Sequence, residues 1–480
     1  MSGMIGALDA ATTAIRDADL YRRHGRVCDL IGLIVEATGL EAEVGEVCSI
    51  ETGRGRPPVP AEVVGFRAGR TLLMALGDAT GIGPGARVTG SGRPFAVDVS
   101  DGLLGRALDG LGRPLDGLGP VGGEDGVRTR SAQASPPDPL ERPRIHERVT
   151  LGVRALDALV PCGRGQRLGI FAGSGVGKSS LLGMIARSTS AQVNVICLVG
   201  ERGREVREFM ERDLGPEGMA RSVIVVATSD QPALVRIKAA FTATTIAEHF
   251  RDQGRDVMLM MDSVTRFAMA QREVGLAIGE PPATRGYTPS VFALLPKLLE
   301  RSGTAARGTI TGLYTVLVDG DDMNEPIADA VRSILDGHVV LSRHLAHAGH
   351  YPAVDVLASV SRLVGEVTAP EVRAAGDEVR RLMAAYRDKE DLIAIGAYQS
   401  GTDALTDAAI AARTPVEEFL RQRVDDPSTC EDAERGLLEL AAYGELVHVP
   451  DVGAIAVPEP PAAPAGTPLA AAIPPLNVPV

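Results

Sequence analysis

The segment Ala172-Gly-Ser-Gly-Val-Gly-Lys-Ser179 constrains the fold of this chain more than any other feature of its sequence. It follows an apolar run that ends at Phe171, and it precedes an apolar helical pattern over residues 180–186. Glycines in such a segment let successive backbone N–H groups surround phosphate groups, and the N-terminus of the following helix adds a positive dipole. The segment therefore predicts a phosphate-binding loop between a buried strand and a helix.

This loop predicts a site for ATP and Mg²⁺. Lys178 is expected to reach the β- and γ-phosphates, and the Ser179 hydroxyl is a candidate Mg²⁺ ligand. Ala172 stands where the strict motif has glycine, but the glycines that surround the phosphates lie further along. The predicted nucleotide-binding residues are Gly173, Ser174, Gly175, Val176, Gly177, Lys178, Ser179 and Ser180.

Hydrolysis of ATP also needs carboxylates at the ends of neighbouring strands. Asp262 follows the apolar run of residues 257–261, where a carboxylate can hold Mg²⁺ through water. Glu201 follows the run of residues 193–199 and is the candidate that orients or deprotonates the attacking water. Arg202 is a candidate for positioning Glu201 or sensing the γ-phosphate. The alternatives are that Asp262 caps a helix starting near Ser263 and that Glu201 stabilises the start of the next helix.

The hydrophobic pattern predicts three kinds of structure along the chain. Short apolar stretches between glycine and proline turns indicate a small all-β module over residues 25–95. From residue 152 to about residue 365, apolar strands alternate with helical stretches, which is typical of a parallel sheet flanked by helices. Five strands are predicted there, over residues 167–172, 193–199, 223–227, 257–261 and 312–318. After Thr368 the charged, helix-periodic pattern indicates a helical domain.

Composition narrows the class of protein further. The chain has 480 residues, a net charge of −13 and five cysteines without metal-ligand spacing. The acidic balance argues against a protein that coats nucleic acid, because such binding depends on Lys and Arg at phosphates. The sequence has no secretion signal or membrane-spanning apolar run, so we expect a cytoplasmic protein with at most peripheral membrane association.

Several longer motifs extend these predictions to a family. AGSGVGKSS, GERGREV, MDSVTRFAMAQRE, GEPPATRGYTPSVFALLPKLLERSG and DGDDMNEPIADAVRSILDGHVVLSR together resemble the flagellum-specific ATP synthases over about residues 20–445. This family is related to the ATPases of type III secretion injectisomes and to the catalytic subunits of rotary F- and V-type ATP synthases. The resemblance implies an ATPase that forms a homohexameric ring and energises export of flagellar proteins through the flagellar type III secretion apparatus.

The resemblance also implies a multidomain α/β architecture with a RecA-like P-loop core. The predicted division is a partner-binding N-terminal helix (1–22), a β-barrel domain (23–97), a RecA-like P-loop ATPase domain with a parallel sheet (98–366), a helical C-terminal domain (367–446) and a Pro/Ala-rich disordered tail (447–480).

Two further residues take roles from the resemblance alone. Arg362 matches the arginine that rotary relatives supply to the site of a neighbouring subunit, although an ion pair within the subunit is the alternative. Tyr351 matches a tyrosine that stacks on adenine, although a core tyrosine is the alternative. A chain with both Glu201 and Arg362 can serve both sides of a shared site, which favours six identical subunits.

The resemblance implies several partners at the flagellar basal body, on the inner side of the cytoplasmic membrane. The loop of residues 319–326 resembles the loop that approaches the central shaft of rotary enzymes, so a central-stalk-like protein is expected in the pore. A regulatory protein that resembles a peripheral stalk is expected at the N-terminus, where a helix packed on the barrel is the alternative. The export gate, export substrates and chaperones are further expected partners.

Four alternatives remain open. An RNA-dependent RecA-like translocase is disfavoured because residues 20–95 hold only three aromatic residues, too few for a base-stacking surface. An inactive ring scaffold is disfavoured by the complete set of Lys178, Glu201 and Asp262. An injectisome ATPase and a proton-coupled rotary ATP synthase subunit would use the same catalytic residues.

The spacing of His344, His347 and His350 does not favour a metal site, because Gly349 and Pro352 interrupt the helix.

Overall fold

The computed structural model describes residues 24–448 except Arg54, Glu124, Asp125, Asp319 and Asp321. The predicted N-terminal helix of residues 1–22 lies outside the described residues, and so does the predicted tail from residue 449 onward. In the described part of the chain, no helix is both long enough and apolar enough to cross a membrane.

Residues 24–94 form a closed barrel of six antiparallel strands in the order β1-β2-β5-β4-β3-β6. Closure pairs every strand on both sides, and Val35, Val63, Leu73 and Val88 fill the interior. The all-β prediction for this region is confirmed, and Gly32 (φ +59°) lies in the turn between the first two strands. The strands are β1 (His24–Ile31), β2 (Ile34–Thr38), β3 (Glu46–Ile50), β4 (Val59–Arg67), β5 (Arg70–Ala75) and β6 (Arg87–Pro94).

Short strands follow the barrel. β7 (Ala96–Val99) pairs with β9 (Arg128–Ser131), and β10 (Arg148–Val149) pairs with β11 (Cys162–Gly163). Between them, β8 (Ala107–Asp109) joins the edge of the large sheet of the next domain. The Pro-rich segment after β9 has no helix or strand and includes a turn at residues 139–141.

A nine-stranded sheet forms the centre of the molecule, in the order β19-β18-β12-β17-β15-β13-β14-β8, with β16 attached to β17. All neighbouring strands are parallel except the pairs β18/β19 and β16/β17. The strands are β12 (Arg167–Ala172), β13 (Val193–Val199), β14 (Ser222–Ala227), β15 (Asp256–Asp262), β16 (Gly303–Thr304), β17 (Thr309–Leu317), β18 (Gly337–Leu341) and β19 (Val354–Ser361). All five predicted strands are present within three residues of the predicted bounds, whereas the sequence analysis did not predict β8, β18 and β19.

Helices cover both faces of this sheet. They are α1 (Arg154–Leu159), α2 (Lys178–Ser188), α3 (Gly203–Glu208), α4 (Gly215–Ala220), α5 (Ala233–Asp252), α6 (Val264–Ala277), α7 (Pro289–Leu299), α8 (Pro326–Ile334), α9 (Arg343–His347) and α10 (Val364–Val367). A π-helical stretch, Phe209–Leu214, connects α3 to α4. The strands of the sheet are buried on both faces, as expected of parallel strands between two layers of helices.

The described part of the chain ends in a helical domain, as the periodicity of its sequence predicts. It consists of α11 (Pro370–Ala394), α12 (Ala404–Leu420), α13 (Cys430–Ala441) and a 3₁₀ helix (Ala442–His448). Its apolar faces continue the hydrophobic core that lies on the α2 side of the sheet, where Val379, Ala412 and Leu437 are buried.

The direction of the strands sets the position of every candidate residue. The carboxyl ends of β12, β13 and β15 meet at one edge of the sheet, which we call the loop edge. Because β19 is antiparallel to β18, its first residue pairs with Leu341 at the loop edge, whereas Ser361 pairs with Gly337 at the opposite edge.

Candidate functional site

The phosphate loop connects the end of β12 to the first turn of α2. Gly175 (φ +79°) and Gly177 (φ +86°) adopt left-handed backbone conformations that L side chains rarely take. Helix α2 then begins directly at Lys178, with Gly177 as its cap. The loop therefore presents unpaired backbone N–H groups of a helix start together with a lysine, which is a binding site for a polyphosphate anion.

Three predicted residues from three strand ends meet next to this loop. The Lys178 Nζ atom contacts Asp262 Oδ1 and lies 3.6 Å from Glu201 Oε1. The side chains are 12%, 3% and 20% exposed in the order Lys178, Asp262 and Glu201. The parallel sheet thus gathers one cation and two carboxylates from positions up to 84 residues apart in the sequence.

Asp262 is held by a residue that the sequence analysis missed. Thr315 Oγ1 donates a hydrogen bond of 2.8 Å to Asp262 Oδ1. The register of β15 and β17 pairs Met261 with Tyr314, so Thr315 lies beside Asp262 at the loop edge. The sequence signal for Thr315 is a hydroxyl residue within the apolar run of residues 312–318, which was predicted to be a strand. The alternative role for Asp262 as a helix cap is wrong, because the Ser263 side chain caps α6 by accepting from Arg266 N–H.

The environment of Glu201 changes its acidity. Burial and the nearby charge of Asp262 raise the pKa of Glu201 to about 7, and the positive charge of Lys178 offsets part of this rise. A carboxyl group with a pKa near neutrality can gain and lose a proton under ordinary conditions, which suits a general base. The arrangement can therefore accept a proton from a water molecule at the phosphate loop.

Arg202 does not join this cluster. Its side chain is 76% exposed, and its Nη1 lies 3.4 Å from Glu205 Oε1. The structure therefore places the guanidinium on the surface beside a different glutamate from the one that it was predicted to position.

Tyr351 lies against the other side of the phosphate loop. A Cβ atom added to Gly177 would lie 3.3 Å from two ring carbons of Tyr351, so the ring packs directly over the loop. The side chain of Tyr351 is 45% exposed and lines an open cleft of about 860 Å³ that also contains Leu181, Met184 and Val424. Tyr351 is therefore not a core residue, and it offers an aromatic face to a planar ligand beside the phosphate loop.

Arg362 lies at the opposite edge of the sheet from the phosphate loop. Its backbone N–H donates to the Asp336 carbonyl oxygen, before the start of β18, and its Nη2 donates to the Arg332 carbonyl oxygen at 3.3 Å. Since β12 has six residues at about 3.3 Å each, about 20 Å separate the two edges. Arg362 therefore cannot reach the phosphate loop of its own chain.

Ser179 and Asp262 offer oxygen donors to a cation near the loop. Ser179 is exposed in the first turn of α2, and Asp262 faces Lys178 from the end of β15, which β17 separates from β12. In the part of the chain that the structure describes, no three or more His, Cys, Asp or Glu side chains form a metal-binding group. A cation at this site would thus take the remaining ligands from nucleotide and water oxygens, which is the coordination that Mg²⁺ favours.

A phosphate loop on a parallel sheet, with two carboxylates at the ends of other strands of the same sheet, defines a P-loop nucleotide hydrolase. Family comparisons agree with this class. Residues 152–361 match the nucleotide-binding domain of the ATP synthase alpha/beta family, and residues 27–92 match the β-barrel domain of the same family. Residues 368–439 match the C-terminal domain of the type III secretion ATPase EscN.

Individual relatives are similar in sequence to this chain over most of its length. The flagellum-specific ATP synthase of Bacillus subtilis is 53% identical, covering 90% of this chain and 98% of its own length. The type 3 secretion system ATPase of Xanthomonas euvesicatoria is 50% identical, covering 86% and 92%. The assembled ATPase EscN of enteropathogenic E. coli is 46% identical, with a TM-score of 0.82, over 87% of this chain and 100% of that chain. This chain belongs to the family of flagellar and type III secretion ATPases, and it is an ATPase.

Proposed function

We propose that this chain is the export ATPase of a flagellar type III secretion apparatus and that it acts as a homohexameric ring with ATP sites between subunits. The observation that carries the proposal is the division of the site between two edges of one sheet. Lys178, Glu201 and Asp262 lie together at the loop edge, whereas Arg362 lies about 20 Å away at the opposite edge. A site that needs all four residues is complete only when a neighbouring subunit supplies the arginine.

The chemistry follows from these contacts. Lys178 contacts Asp262, and the γ-phosphate of ATP offers Lys178 a stronger anionic partner. Lys178 and the backbone N–H groups of the phosphate loop then hold the phosphates, while Glu201 orients a water molecule in line with the γ-phosphate and accepts its proton. The Arg362 guanidinium of the neighbouring subunit stabilises the charge that develops on the γ-phosphate.

Mg²⁺ is the metal that this donor set fits. The Ser179 hydroxyl would ligate it directly and Asp262 through water, with Thr315 orienting the Asp262 carboxylate. When bound, Mg²⁺ neutralises charge on the β- and γ-phosphate oxygens.

The domain division proposed from the sequence places a different domain at each end of the ring. The barrel of residues 23–97 would form one end, and the helical domain of residues 367–446 would form the other. The structure of EscN in complex with its central stalk EscO, with a TM-score of 0.80, supports a stalk-like partner for this chain as well. The N-terminal regulator, export gate, substrates and chaperones, and a position on the cytoplasmic side of the membrane, remain predictions.

Flagellar relatives from Bacillus subtilis and Treponema pallidum, at 53% and 52% identity, support the flagellar assignment. An injectisome ATPase is the second candidate, favoured by the 50% identity of the Xanthomonas euvesicatoria relative. A strain that lacks this chain distinguishes them. Loss of filaments and motility is expected, whereas intact flagella with lost effector secretion would select the injectisome.

A subunit-mixing assay tests the shared site. Rings made only of Glu201→Gln subunits should lose about 10²-fold in kcat. Rings made only of Arg362→Ala subunits should lose about 10³-fold in kcat. Mixed rings should regain ATPase activity, because some interfaces then pair an intact Glu201 with an intact Arg362. Failure to regain any activity, in mixtures shown by crosslinking to contain both variants in one ring, would contradict a site built from two subunits.

A further inference from the structure

The segment of residues 419–426, here called the cleft segment, connects the helical domain to the nucleotide site. It runs from the end of α12 past the cleft that Tyr351 lines. The nucleotide-binding domain contacts the cleft segment largely through the backbone polar groups of that segment. The position of the cleft segment therefore depends on the few side chains that form these hydrogen bonds.

Gln422 holds the segment through both its backbone and its side-chain amide. Its backbone N–H donates to the Tyr351 carbonyl oxygen at 2.9 Å. Its Oε1 accepts from the Arg154 backbone N–H at 2.8 Å, and its Nε2 donates to the carbonyl oxygens of Gly152 at 2.9 Å and Asp426 at 2.6 Å. The residue is 5% exposed, and its amide uses both donors and its acceptor.

Two arginines of the nucleotide-binding domain hold the same segment. Arg154 donates to the carbonyl oxygens of Phe419 at 3.0 Å and Arg421 at 2.7 Å. Arg187 donates to the Val424 carbonyl oxygen at 2.7 Å, and it lies in the last turn of α2, whose first residue is Lys178. The cleft segment is thus tied both to Tyr351 and to the helix that follows the phosphate loop.

We propose that Gln422 is a positioning residue for recognition of the nucleotide base. Its side-chain amide holds the cleft segment against Gly152 and Arg154. The docked segment then meets the Tyr351 carbonyl oxygen through the Gln422 backbone N–H, beside the ring that packs over Gly177. The base-binding cleft is complete only while that segment is docked. A partner that displaces α12 would therefore lower the affinity for ATP without touching the phosphate loop. This inference rests on the proposed role of Tyr351 in binding the purine base.

The test compares steady-state ATPase kinetics of the full chain carrying Gln422→Met with the unaltered chain. Methionine keeps the length of the side chain but removes all three amide hydrogen bonds. We expect KM for ATP to rise about 5- to 10-fold while kcat stays within about 2-fold, because the catalytic residues at the loop edge are unchanged. Arg187→Met, which removes only the bond to Val424, is expected to raise KM in the same direction and serves if Gln422→Met does not fold.

A matched control separates this role from simple loosening of the domain interface. Arg380 of α11 also joins the helical domain to the nucleotide-binding domain, by donating to the carbonyl oxygens of Leu159 at 2.7 Å and Ser359 at 3.3 Å. Arg380→Met should lower the melting temperature but leave KM unchanged. An equal rise of KM in Arg380→Met would overturn a specific role for Gln422.

Tyr351→Ala separates failure of this inference from failure of the base site. If Tyr351→Ala raises KM and Gln422→Met does not, the positioning role is wrong and the base site stands. If Tyr351→Ala leaves KM unchanged, the base site itself is wrong and the inference falls with it. In the double variant the effects on KM should be smaller than additive, because Gln422 acts through Tyr351; additive effects would overturn the inference.

Discussion

Lys178 contacts Asp262 and lies near Glu201, so one lysine compensates two carboxylates. Two carboxylates close together cannot both ionise freely, and the one that is less well paired keeps its proton to higher pH. Asp262 has the direct lysine contact and a hydrogen bond from Thr315, which leaves Glu201 as the group that titrates near neutrality.

The pKa of Glu201, raised to about 7, predicts the pH dependence of catalysis. Glu201 must be a carboxylate to accept a proton, and below its pKa it is protonated. We expect kcat/KM, which reports the free enzyme, to fall about tenfold per pH unit below about pH 7 and to level off above it. Steady-state ATPase rates from pH 5.5 to 8.5 measure this. If the residual activity of Glu201→Gln keeps the same pH profile, the ionisation belongs to another group.

Thr315 offers a second test at the residue scale. Thr315→Val keeps the shape of the side chain but removes the 2.8 Å hydrogen bond to Asp262. We expect the Mg²⁺ concentration for half-maximal ATPase activity to rise about fivefold, the equivalent of one hydrogen bond of about 1 kcal/mol. Thr311→Val is the matched control, since this buried threonine of the same strand accepts a hydrogen bond from Gly165 instead. An unchanged Mg²⁺ requirement in Thr315→Val would show that Thr315 does not position Asp262.

At the scale of elements, one buried ion pair joins three segments. Arg301, after α7, contacts Glu248 of α5 through Nε at 2.8 Å and Nη2 at 2.6 Å, and its Nη1 donates to the Ala132 carbonyl oxygen at 2.6 Å. The two side chains are only 1% and 3% exposed. The connector that follows β9 is thereby fixed to the core of the nucleotide-binding domain.

Arg301→Met would leave Glu248 buried without its cation. We expect a loss of about 3–5 kcal/mol in stability, seen as a clear fall in the melting temperature by calorimetry. The double variant Arg301→Met/Glu248→Met should recover most of the loss. Arg207→Met is the control, because its ion pair with Glu211 has side chains that are 80% and 63% exposed, so solvent screens it and little stability should be lost. Similar losses of stability in Arg301→Met and Arg207→Met would show that burial does not determine how much an ion pair contributes to stability.

At the scale of the whole molecule, one ion pair joins the barrel to the nucleotide-binding domain. Lys238 Nζ of α5 lies 2.5 Å from Glu62 Oε2 of β4, and the side chains are 8% and 9% exposed. Burial raises the pKa of Glu62, whereas the charge of Lys238 opposes that rise. The pair therefore favours one docked position of the barrel, because in that position the loss of either partner would leave a buried charge uncompensated.

Lys238→Met should weaken this docking. We expect faster hydrogen exchange in β4 and in the part of α5 that faces it, without faster exchange in α2 or β12. The variant Lys238→Met/Glu62→Leu should restore protection, because it removes the charge together with its partner. Uniformly faster exchange across the chain would indicate general destabilisation rather than undocking of the barrel.

The sequence by itself determined the class of protein and the centre of its site. Glycines at residues 175 and 177, Lys178, and acids directly after two apolar runs were enough, because the carboxyl ends of parallel strands must meet at one edge. The apolar runs in the sequence predicted the bounds of β12 and β13, and those of β15 within one residue, because strands buried on both faces are continuously hydrophobic.

Only the tertiary structure decided which more distant residues support that site. Thr315 acts through the register of β15 and β17, and Gln422 contacts Gly152 and Arg154 about 270 residues earlier in the chain. The antiparallel direction of β19 decided that Tyr351 and Arg362, although 11 residues apart, lie at opposite edges of the sheet. No local pattern encodes strand direction or domain docking, because both result from packing between segments that are far apart in sequence.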